Sequence, residues 1–278
     1  MIKNIYFSLL LIAGLMLTAC SSDDNVSEQA PKTYYMTVDA TKGVNEAASP
    51  AYRRALNLSG STLSASWATT EHVYVQGTLV SNSSTFWFEG SIQPQTAGTT
   101  TQLNGVISLP AGWVISIDDA IGTPYCVNLQ FPRSGDLDYT GQTGTLAGIA
   151  ANYDYARAEN VSVDIAADKV VGINEVSFVN QQAIVKFTLK DKADGTTLLN
   201  PTALTINYGS GSLELTSIPA STYTANGNGV LYVAIPGFSG QNVTLTATCT
   251  SGTYAYTKNS VTFDNGKYYE ISVKMTKQ

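Results

Sequence analysis

Two adjacent arginines are the residues of this chain whose type and spacing most directly suggest chemistry. The segment SPAYRRAL, residues 49–56, contains Arg53 and Arg54, whereas the whole chain of 278 residues holds only four arginines. The flanking sequence KGVNEAASPAYRRAL consists mainly of small, polar and proline residues, which is typical of exposed loops that proteases reach. The pair therefore predicts either a cleavage site for a trypsin-like protease or a solvated surface pair without a function.

A second candidate for chemistry is the thiol of Cys20. Lys3 and the apolar run IYFSLLLIAGLML precede the residues LTAC, and a run of this length is too short to span a bilayer. The pattern resembles the bacterial lipobox, in which signal peptidase II cuts before the cysteine and the thiol carries a lipid. We therefore expect residues 1–19 to be a removed signal peptide and Cys20 to be lipidated. The alternative is an ordinary secretory signal with a chance cysteine.

Residues 20–32 are polar and acidic, which predicts a flexible tether after the lipidated cysteine. The acidic run resembles the surface-export signal of lipoproteins in Bacteroides-like Gram-negative bacteria. The formal net charge of −6 becomes −7 when Lys3 is removed with the signal peptide. An acidic chain with so few arginines is a poor candidate for binding nucleic acid.

The rest of the sequence has the composition and periodicity of an all-β protein. Apolar and polar residues alternate over short runs such as HVYVQGTLV, AIVKFTLKD and YYEISVKM, and turn signals such as NGNG and DNG separate the runs. This pattern predicts antiparallel β-sandwiches. The length favours two domains, 33–168 and 169–278, with one large sandwich as the alternative.

One segment departs from the two-residue alternation. Apolar residues recur at helical spacing within residues 141–160, namely at Leu146, Ile149, Ala150 and Tyr153. Glycine flanks the segment, so it predicts a helical turn within a long connection.

The two ends of the globular sequence carry strands of similar length and pattern. The apolar residues of the first are Tyr34, Met36, Val38 and Ala40. The apolar residues of the last are Tyr269, Ile271, Val273 and Met275. Each set alternates with polar side chains, so both strands are predicted to bury one face and to fit the same kind of groove.

Four stretches of the sequence resemble the fimbrillins, the lipoprotein pilins that build type V pili in Bacteroides-like bacteria. They are LSASWATTEHVYV (63–75), DYTGQTGTLAGIAANYDYARAE (138–159), NQQAIVKFTL (180–189) and FDNGKYYEISVKM (263–275). The resemblance runs from the lipobox to the last strand, in the order of the family.

The resemblance implies a fold and a mechanism of assembly. The expected fold is two transthyretin-like antiparallel β-sandwich domains in tandem. The chain is expected to be exported as an outer-membrane lipoprotein and, when mature, to lie in a surface fimbrium. An arginine-specific protease cuts after Arg54, with Arg53 as the alternative, and the strand at 33–42 leaves with the lipid anchor. A donor strand at about 267–278 of another subunit then fills the vacated groove. The parts present imply a stalk subunit that contributes to adhesion and biofilm formation, with an accessory subunit as the alternative.

The residue inventory argues against an enzyme. His72 is the only histidine of the chain, which excludes a histidine-dependent triad and a multi-histidine metal site. No P-loop, G-x-S-x-G or H-E-x-x-H motif occurs in the sequence. We therefore expect a non-enzymatic protein without a cofactor or a metal.

The alternative function is that of a surface lipoprotein that binds carbohydrate by stacking sugars on exposed aromatic side chains. Trp67, Trp87 and Trp113 are the candidates, although their alternating contexts also predict core packing. Cys126 and Cys249 lie far apart in sequence, so they either pair in an oxidising compartment or are separate small core residues.

Overall fold

The computed structural model describes residues 32–42, 55–59, 62–78, 85–110, 125–133 and 137–278, with the backbone alone for 55–59 and 62–64. Four residues singled out above, Cys20, Arg53, Arg54 and Trp113, lie outside the described residues. The predictions that concern them therefore stay predictions.

Nearly all of the regular structure is β-strand, so the prediction of an all-β fold is confirmed. The strands are, in chain order, β1 (Thr33–Lys42), β2 (Ala55–Ser59), β3 (Thr62–Ser66), β4 (Tyr74–Thr78), β5 (Thr85–Trp87), β6 (Glu89–Gly90), β7 (Gln93–Pro94), β8 (Thr100–Ser108), β9 (Tyr125–Phe131), β10 (Ala156–Ala166), β11 (Lys169–Gly172), β12 (Val176–Asn180), β13 (Gln182–Asp191), β14 (Ala203–Tyr208), β15 (Gly211–Leu215), β16 (Val230–Pro236), β17 (Phe238–Cys249), β18 (Gly252–Phe263) and β19 (Tyr268–Lys277). In the part of the chain that the structure describes, two short helices interrupt the strands, α1 (Leu146–Asn152) and α2 (Ala220–Asn226).

The first sheet is built around β1. Its strand order is β5-β4-β9-β10-β11-β1-β8-β6, with β12 beside β1 and β10, and β7 beside β8. Among the described strands, β2 and β3 pair with each other and with no other strand. Large aromatic side chains fill the core of this sheet, among them Trp67, Phe88, Phe131 and Phe178. β1, the first described strand, has paired strands on both sides and is therefore an interior strand of its sheet.

The second sheet comprises β13 to β19 in the order β15-β14-β17-β18-β19-β13-β16. Only the pairs Tyr254–Lys277 and Ala255–Thr276 join β18 to β19. Strands on both sides of this narrow junction bury one common apolar cluster. They consequently form two layers over a single core, which is the packing of a β-sandwich.

The strand pairs of the described residues are mainly antiparallel, as the sequence predicted, but three of them are parallel. The parallel pairs are β1 with β11, β1 with β12, and β13 with β19. The reason is that a short hairpin forces neighbouring strands to be antiparallel, whereas β1 and β19 reach partners that are distant in sequence. Side-chain alternation reports which face of a strand is buried and carries no information about the direction of its partner.

The change from the first sheet to the second falls between Asn180 and Gln182, whereas the predicted division into domains at 168 stays a prediction. β11 and β12 lie beyond 168 but pair with β1 and β10 in the first sheet. Conversely, Tyr139 and Ile149, which precede β10, are buried in the second core. The chain thus crosses to the second core and returns before β10, all within one compact unit, Pro31–Gln278.

The helical turn predicted within residues 141–160 is confirmed as α1. The side chain of Thr145 caps the helix by accepting a hydrogen bond from the N–H of Gly148 at 3.0 Å. Ile149 and Ala150 are the buried residues of the helix, as their spacing predicted.

The segment before α1 covers the free edge of β16. The side-chain amide of Gln142, 2% exposed, donates to the carbonyl oxygen of Ala234 and accepts from its N–H, both at 2.8 Å. The carbonyl oxygen of Gly144 accepts from the N–H of Tyr232 at 2.9 Å. Because an edge strand otherwise presents unpaired backbone groups, Gln142 acts as a substitute for a neighbouring strand.

The substitution Gln142→Ala is expected to lower the free energy of unfolding by about 1–3 kcal/mol, because it leaves the N–H and carbonyl of Ala234 buried and unpaired. Urea denaturation followed by circular dichroism measures the change. Asn152→Ala, which removes an exposed amide of α1, is the matched control and should change stability by no more than about 0.5 kcal/mol. Equal effects of the two substitutions would contradict the edge-covering role of Gln142.

Candidate functional site: the first and last strands

The predicted leaving strand, β1, is held on both sides by backbone ladders. It pairs with β8 in antiparallel register from Thr33 to Thr41, and with β11 and β12 in parallel register on its other side. Its inward side chains are all buried, with exposed fractions of 2% or less, namely Tyr34, Met36, Val38 and Ala40. The predicted apolar face of this strand is therefore confirmed, while its departure stays a prediction.

On its solvent face, β1 is fastened by polar contacts to neighbouring segments. The hydroxyls of Thr33 and Ser108 are 3.1 Å apart. The amide of Gln102 donates to the carboxylate of Asp39 at 3.2 Å. The hydroxyl of Thr41 donates to Glu175. Such exposed contacts contribute little each, so the buried face of β1 dominates its attachment.

The last residue of β1 is a fully buried lysine. Lys42 is 0% exposed, and its ammonium donates to the two carboxylate oxygens of Glu71 at 3.0 and 3.1 Å. The same ammonium lies 3.3 Å from a carboxylate oxygen of Asp154. The rings of Trp67 and Phe131 lie beneath it, with centroids at 4.8 and 4.5 Å. The two carboxylates and the faces of the two rings thus offset the cost of burying this cation.

Three distant parts of the chain supply this ion cluster. Lys42 ends β1, Glu71 lies just before β4, and Asp154 lies just before β10. The other oxygen of Asp154 accepts a hydrogen bond at 3.3 Å from the side-chain amide of Gln182, the first residue of β13. The cluster therefore lies where the first sheet meets the start of the second.

Burial is the main influence on the carboxyl group of Glu71 in this cluster. Desolvation raises the pKa of Glu71 above its ordinary value of 4.5, and the charge of Lys42 and the hydrogen bond from it oppose the rise. The nearby charge of Asp154 adds to the increase in the pKa of Glu71, and a hydrogen bond from the backbone at Ala68 lowers it. Without Lys42, the balance would move further towards a protonated Glu71.

The sequence reasoning missed Lys42, Glu71 and Asp154. A signal for the first of them was present, because Lys42 continues the alternation of Tyr34 through Ala40 onto the inward face. No local pattern marks Glu71 or Asp154, since their proximity to Lys42 arises only from the pairing of distant strands.

The predicted donor strand, β19, is a member of the second sheet of its own subunit. It pairs with β13 in parallel register from Tyr268 to Met275. Val273 and Met275 are buried, 2% and 0% exposed, while Tyr269 and Ile271 are half-buried. The four predicted side chains thus share one face, and donation of this strand to another subunit would require it to leave that core first.

The tryptophans do not form the stacking platform of the carbohydrate-binding alternative within the described residues. Trp67 is 1% exposed and packs edge-on against Phe178, with ring centroids 5.1 Å apart. Trp87 is half-buried, and the guanidinium of Arg133 covers both it and Tyr74 at 5.6 and 5.9 Å. Core packing, the other interpretation of these residues, is therefore confirmed for Trp67.

The remaining residues singled out by the sequence lie away from the ion cluster or on the surface beside it. His72 is exposed and contacts Ser91 and Gln93. Cys126 is exposed in β9, whereas Cys249 is buried in β17, so the two cysteines lie in different sheets and do not form a disulfide with each other.

No family model matches the chain, and no curated protein matches its sequence. Solved structures do match most of its length at low identity. A candidate cell adhesion protein from Bacteroides ovatus is 13% identical, with 89% of this chain and 95% of that one covered and a TM-score of 0.46. The tip fimbrial protein Mfa3 from Porphyromonas gingivalis, with a C-terminal truncation, is 11% identical, with coverages of 87% and 95% and a TM-score of 0.40. A fimbrial assembly protein from Parabacteroides distasonis is 12% identical, with coverages of 86% and 90% and a TM-score of 0.39.

These neighbours are fimbrial and adhesion proteins of the bacterial group to which the sequence resemblance pointed. The TM-scores of all three are below 0.5. Within the described residues, neither α1 nor α2 is long or apolar enough to cross a membrane.

The substitution Lys42→Met is expected to lower the free energy of unfolding by about 3–5 kcal/mol at pH 8, because it leaves two buried carboxylates without their cation. Loss of Lys42 raises the pKa of Glu71 further, and a protonated Glu71 tolerates burial. The loss of unfolding free energy caused by Lys42→Met should therefore become smaller as the pH falls through this raised pKa of Glu71 towards 4.5, its ordinary value.

Urea unfolding of the unaltered protein and of the Lys42→Met variant at pH 8 and pH 5 measures how the loss of stability depends on pH. Lys169→Met is the matched control, since Lys169 is an exposed lysine of β11 and its loss should change stability by no more than about 0.5 kcal/mol at either pH. A Lys42→Met deficit of the same size at pH 8 and pH 5 would contradict the role assigned to the carboxylates.

Proposed function

We propose that this chain is a structural, non-enzymatic subunit of a surface fimbrium, assembled by exchange of its first strand. The observation that carries the proposal is the position of β1. It is the first described strand, it lies in the interior of its sheet, and the segment 43–54 that follows it contains Arg53 and Arg54. Removal of β1 would leave a groove between β8 on one side and β11 and β12 on the other.

Cleavage is the step that makes release of β1 possible. Burial of Tyr34, Met36 and Val38 stabilises the strand in its groove by about 1.5–3 kcal/mol for each side chain. While the connection through 43–54 is intact, the effective concentration of β1 at its groove is on the order of millimolar or higher. A foreign strand cannot readily displace it. A cut after Arg54, or alternatively Arg53, converts β1 into a separable peptide.

The same cut separates the mature subunit from the membrane. In this proposal the precursor is an outer-membrane lipoprotein anchored through Cys20, and an arginine-specific, trypsin-like protease is its processing partner. β1 leaves with the lipid, and the remaining subunit is extracellular. Its lasting partners are other pilin subunits.

Filling of the groove by another subunit would build a fibre. A strand that enters beside β8 gains a backbone ladder on each side, as in other cases of strand addition. Because the donor and acceptor surfaces differ, the contact is head-to-tail and does not close on itself, so it propagates. A contact that propagates in this way suits a structural subunit of a surface fibre.

The identity of the donor strand decides the place of the subunit in the fibre. If residues 267–278 are the donor, β19 must separate from β13, with which it forms a long parallel ladder. Its pairing with β18 is much shorter and consists of two register pairs. A subunit that keeps β19 in place would accept a strand without supplying one and would stand at an end of the fibre. A subunit that releases β19 would fit the stalk.

A disulfide that links β1 to β8 should block assembly. Asp39 and Gln102 are exposed register partners, so Asp39→Cys with Gln102→Cys, in a Cys126→Ser background, places two thiols across the ladder. After the protease cut, the oxidised protein should retain residues 33–42 and remain monomeric, whereas the reduced protein should lose them and oligomerise. Mass spectrometry and light scattering measure the two outcomes.

The single substitution Asp39→Cys in the same background is the control and should assemble under both redox conditions. Normal oligomerisation of the oxidised double variant would overturn the proposal that β1 has to leave. Resistance of the segment 43–54 to the arginine-specific protease would overturn the proposed trigger.

A disulfide that links β13 to β19 tests the donor assignment separately. Thr188 and Ser272 are register partners on the outer face of the second sheet, and both are substituted by cysteine in the same background. If β19 is the donor, the oxidised variant should still lose β1 after cleavage but should not donate, so chains terminate. If it forms fibres as the reduced protein does, a different segment supplies the strand.

A further inference from the structure

Removal of β1 takes Lys42 away from two carboxylates that stay behind. Glu71 and Asp154 lie outside β1, and they are 5% and 1% exposed. Both lie within 3.3 Å of the Lys42 ammonium. A groove refilled by a wholly apolar strand would hold two buried carboxylates without a counter-ion, which is strongly unfavourable. The groove therefore favours a strand that brings its own cation.

The last strand of this chain repeats the inward-facing pattern of the first. β1 presents Tyr34, Met36, Val38, Ala40 and Lys42. β19 carries, at the same spacing, Tyr269, Ile271, Val273, Met275 and Lys277. In each strand a tyrosine opens the face and a lysine closes it, and a strand period of two places both on one side.

The two strands also have similar hydrogen-bonding surroundings. β1 has a parallel ladder on one side and an antiparallel ladder on the other. β19 likewise has β13 in parallel register and the end of β18 in antiparallel register. A strand with the sequence of β19 can therefore enter the groove in the direction of β1. Met275 is larger than Ala40, but its unbranched thioether side chain adapts to irregular space.

Lys277 has no comparable environment in its own subunit. It is exposed at the end of β19, and it forms no ion pair with any residue that the structure describes. In the groove of a second copy, the same lysine would lie at the position of Lys42.

We infer that Glu71 and Asp154 form an anionic socket that selects the incoming strand by its cation, and that Lys277 of a second copy occupies this socket. The inference rests on the proposed function and adds the chemistry by which the groove recognises its partner. The socket also fixes the register. A slip of one residue turns the lysine to the outer face, and a slip of two places it beyond or short of the carboxylates.

Binding of synthetic peptides to the cut subunit tests the inference. The full chain is cleaved in the segment 43–54, and fluorescein-labelled peptides of residues 267–278 compete with the bound β1 segment. The variant peptide carries Lys277→Met, and the matched control carries Lys274→Met, which removes a lysine from the outward face of the same strand. Fluorescence anisotropy gives the affinities, and native mass spectrometry confirms that the peptide replaces residues 33–42.

The expected result is at least a tenfold loss of affinity for Lys277→Met and less than a twofold change for Lys274→Met. A subunit with Glu71→Gln and Asp154→Asn should bind the wild-type and Lys277→Met peptides alike, because its socket carries no charge. Equal affinities of the two peptides for the unaltered subunit would overturn the socket while leaving strand exchange intact.

Two further outcomes separate this inference from the proposed function. If a peptide of residues 33–42 rebinds but the peptide of residues 267–278 does not, the assignment of Lys277 is overturned. If neither peptide exchanges with the bound β1 segment, strand exchange itself is overturned. A protease site inserted into segment 43–54 supplies the cut in a parallel sample, so that resistance of Arg53 and Arg54 to cleavage is judged on its own.

Discussion

A lysine ammonium enclosed by two carboxylates and two aromatic rings is the constraint on which the described architecture depends. Lys42 reaches Glu71 and Asp154 only when β1 is seated between β8 and β12 and the segment before β10 is in place. The charges of such a cluster tolerate burial only together, since each alone would be strongly unfavourable. Correct seating of the first strand is therefore coupled to the closure of the first core.

The same cluster explains why the connection between β9 and β10 is more than a linker. Asp154 follows α1, and Gln182, which donates to it, opens β13. Gln142 in the same connection covers the edge of β16 in the second sheet. The segment therefore helps to complete the core of the first sheet while it protects the edge of the second.

The predictions that succeeded depended on information carried by neighbouring residues. Alternation identified the buried face of β1, and the spacing of Leu146, Ile149 and Ala150 identified α1. The sheet to which β11 and β12 belong could not be predicted, because they look like any other strand and only their partner, β1, assigns them to the first sheet. The helix α2 was missed because its seven residues, ASTYTAN, lack a clear apolar period.

By itself, the sequence determined the all-β fold, the inward faces of the two end strands and the helical turn before β10, because a period of two or of 3.6 residues is written in consecutive side chains. Tertiary structure alone decided that β1 lies in the interior of a sheet, that β1 and β19 each have a parallel partner, and that Lys42 meets Glu71 and Asp154. The physical reason is that pairing between distant strands and the assembly of a buried ion cluster depend on the whole core closing, which no local pattern encodes.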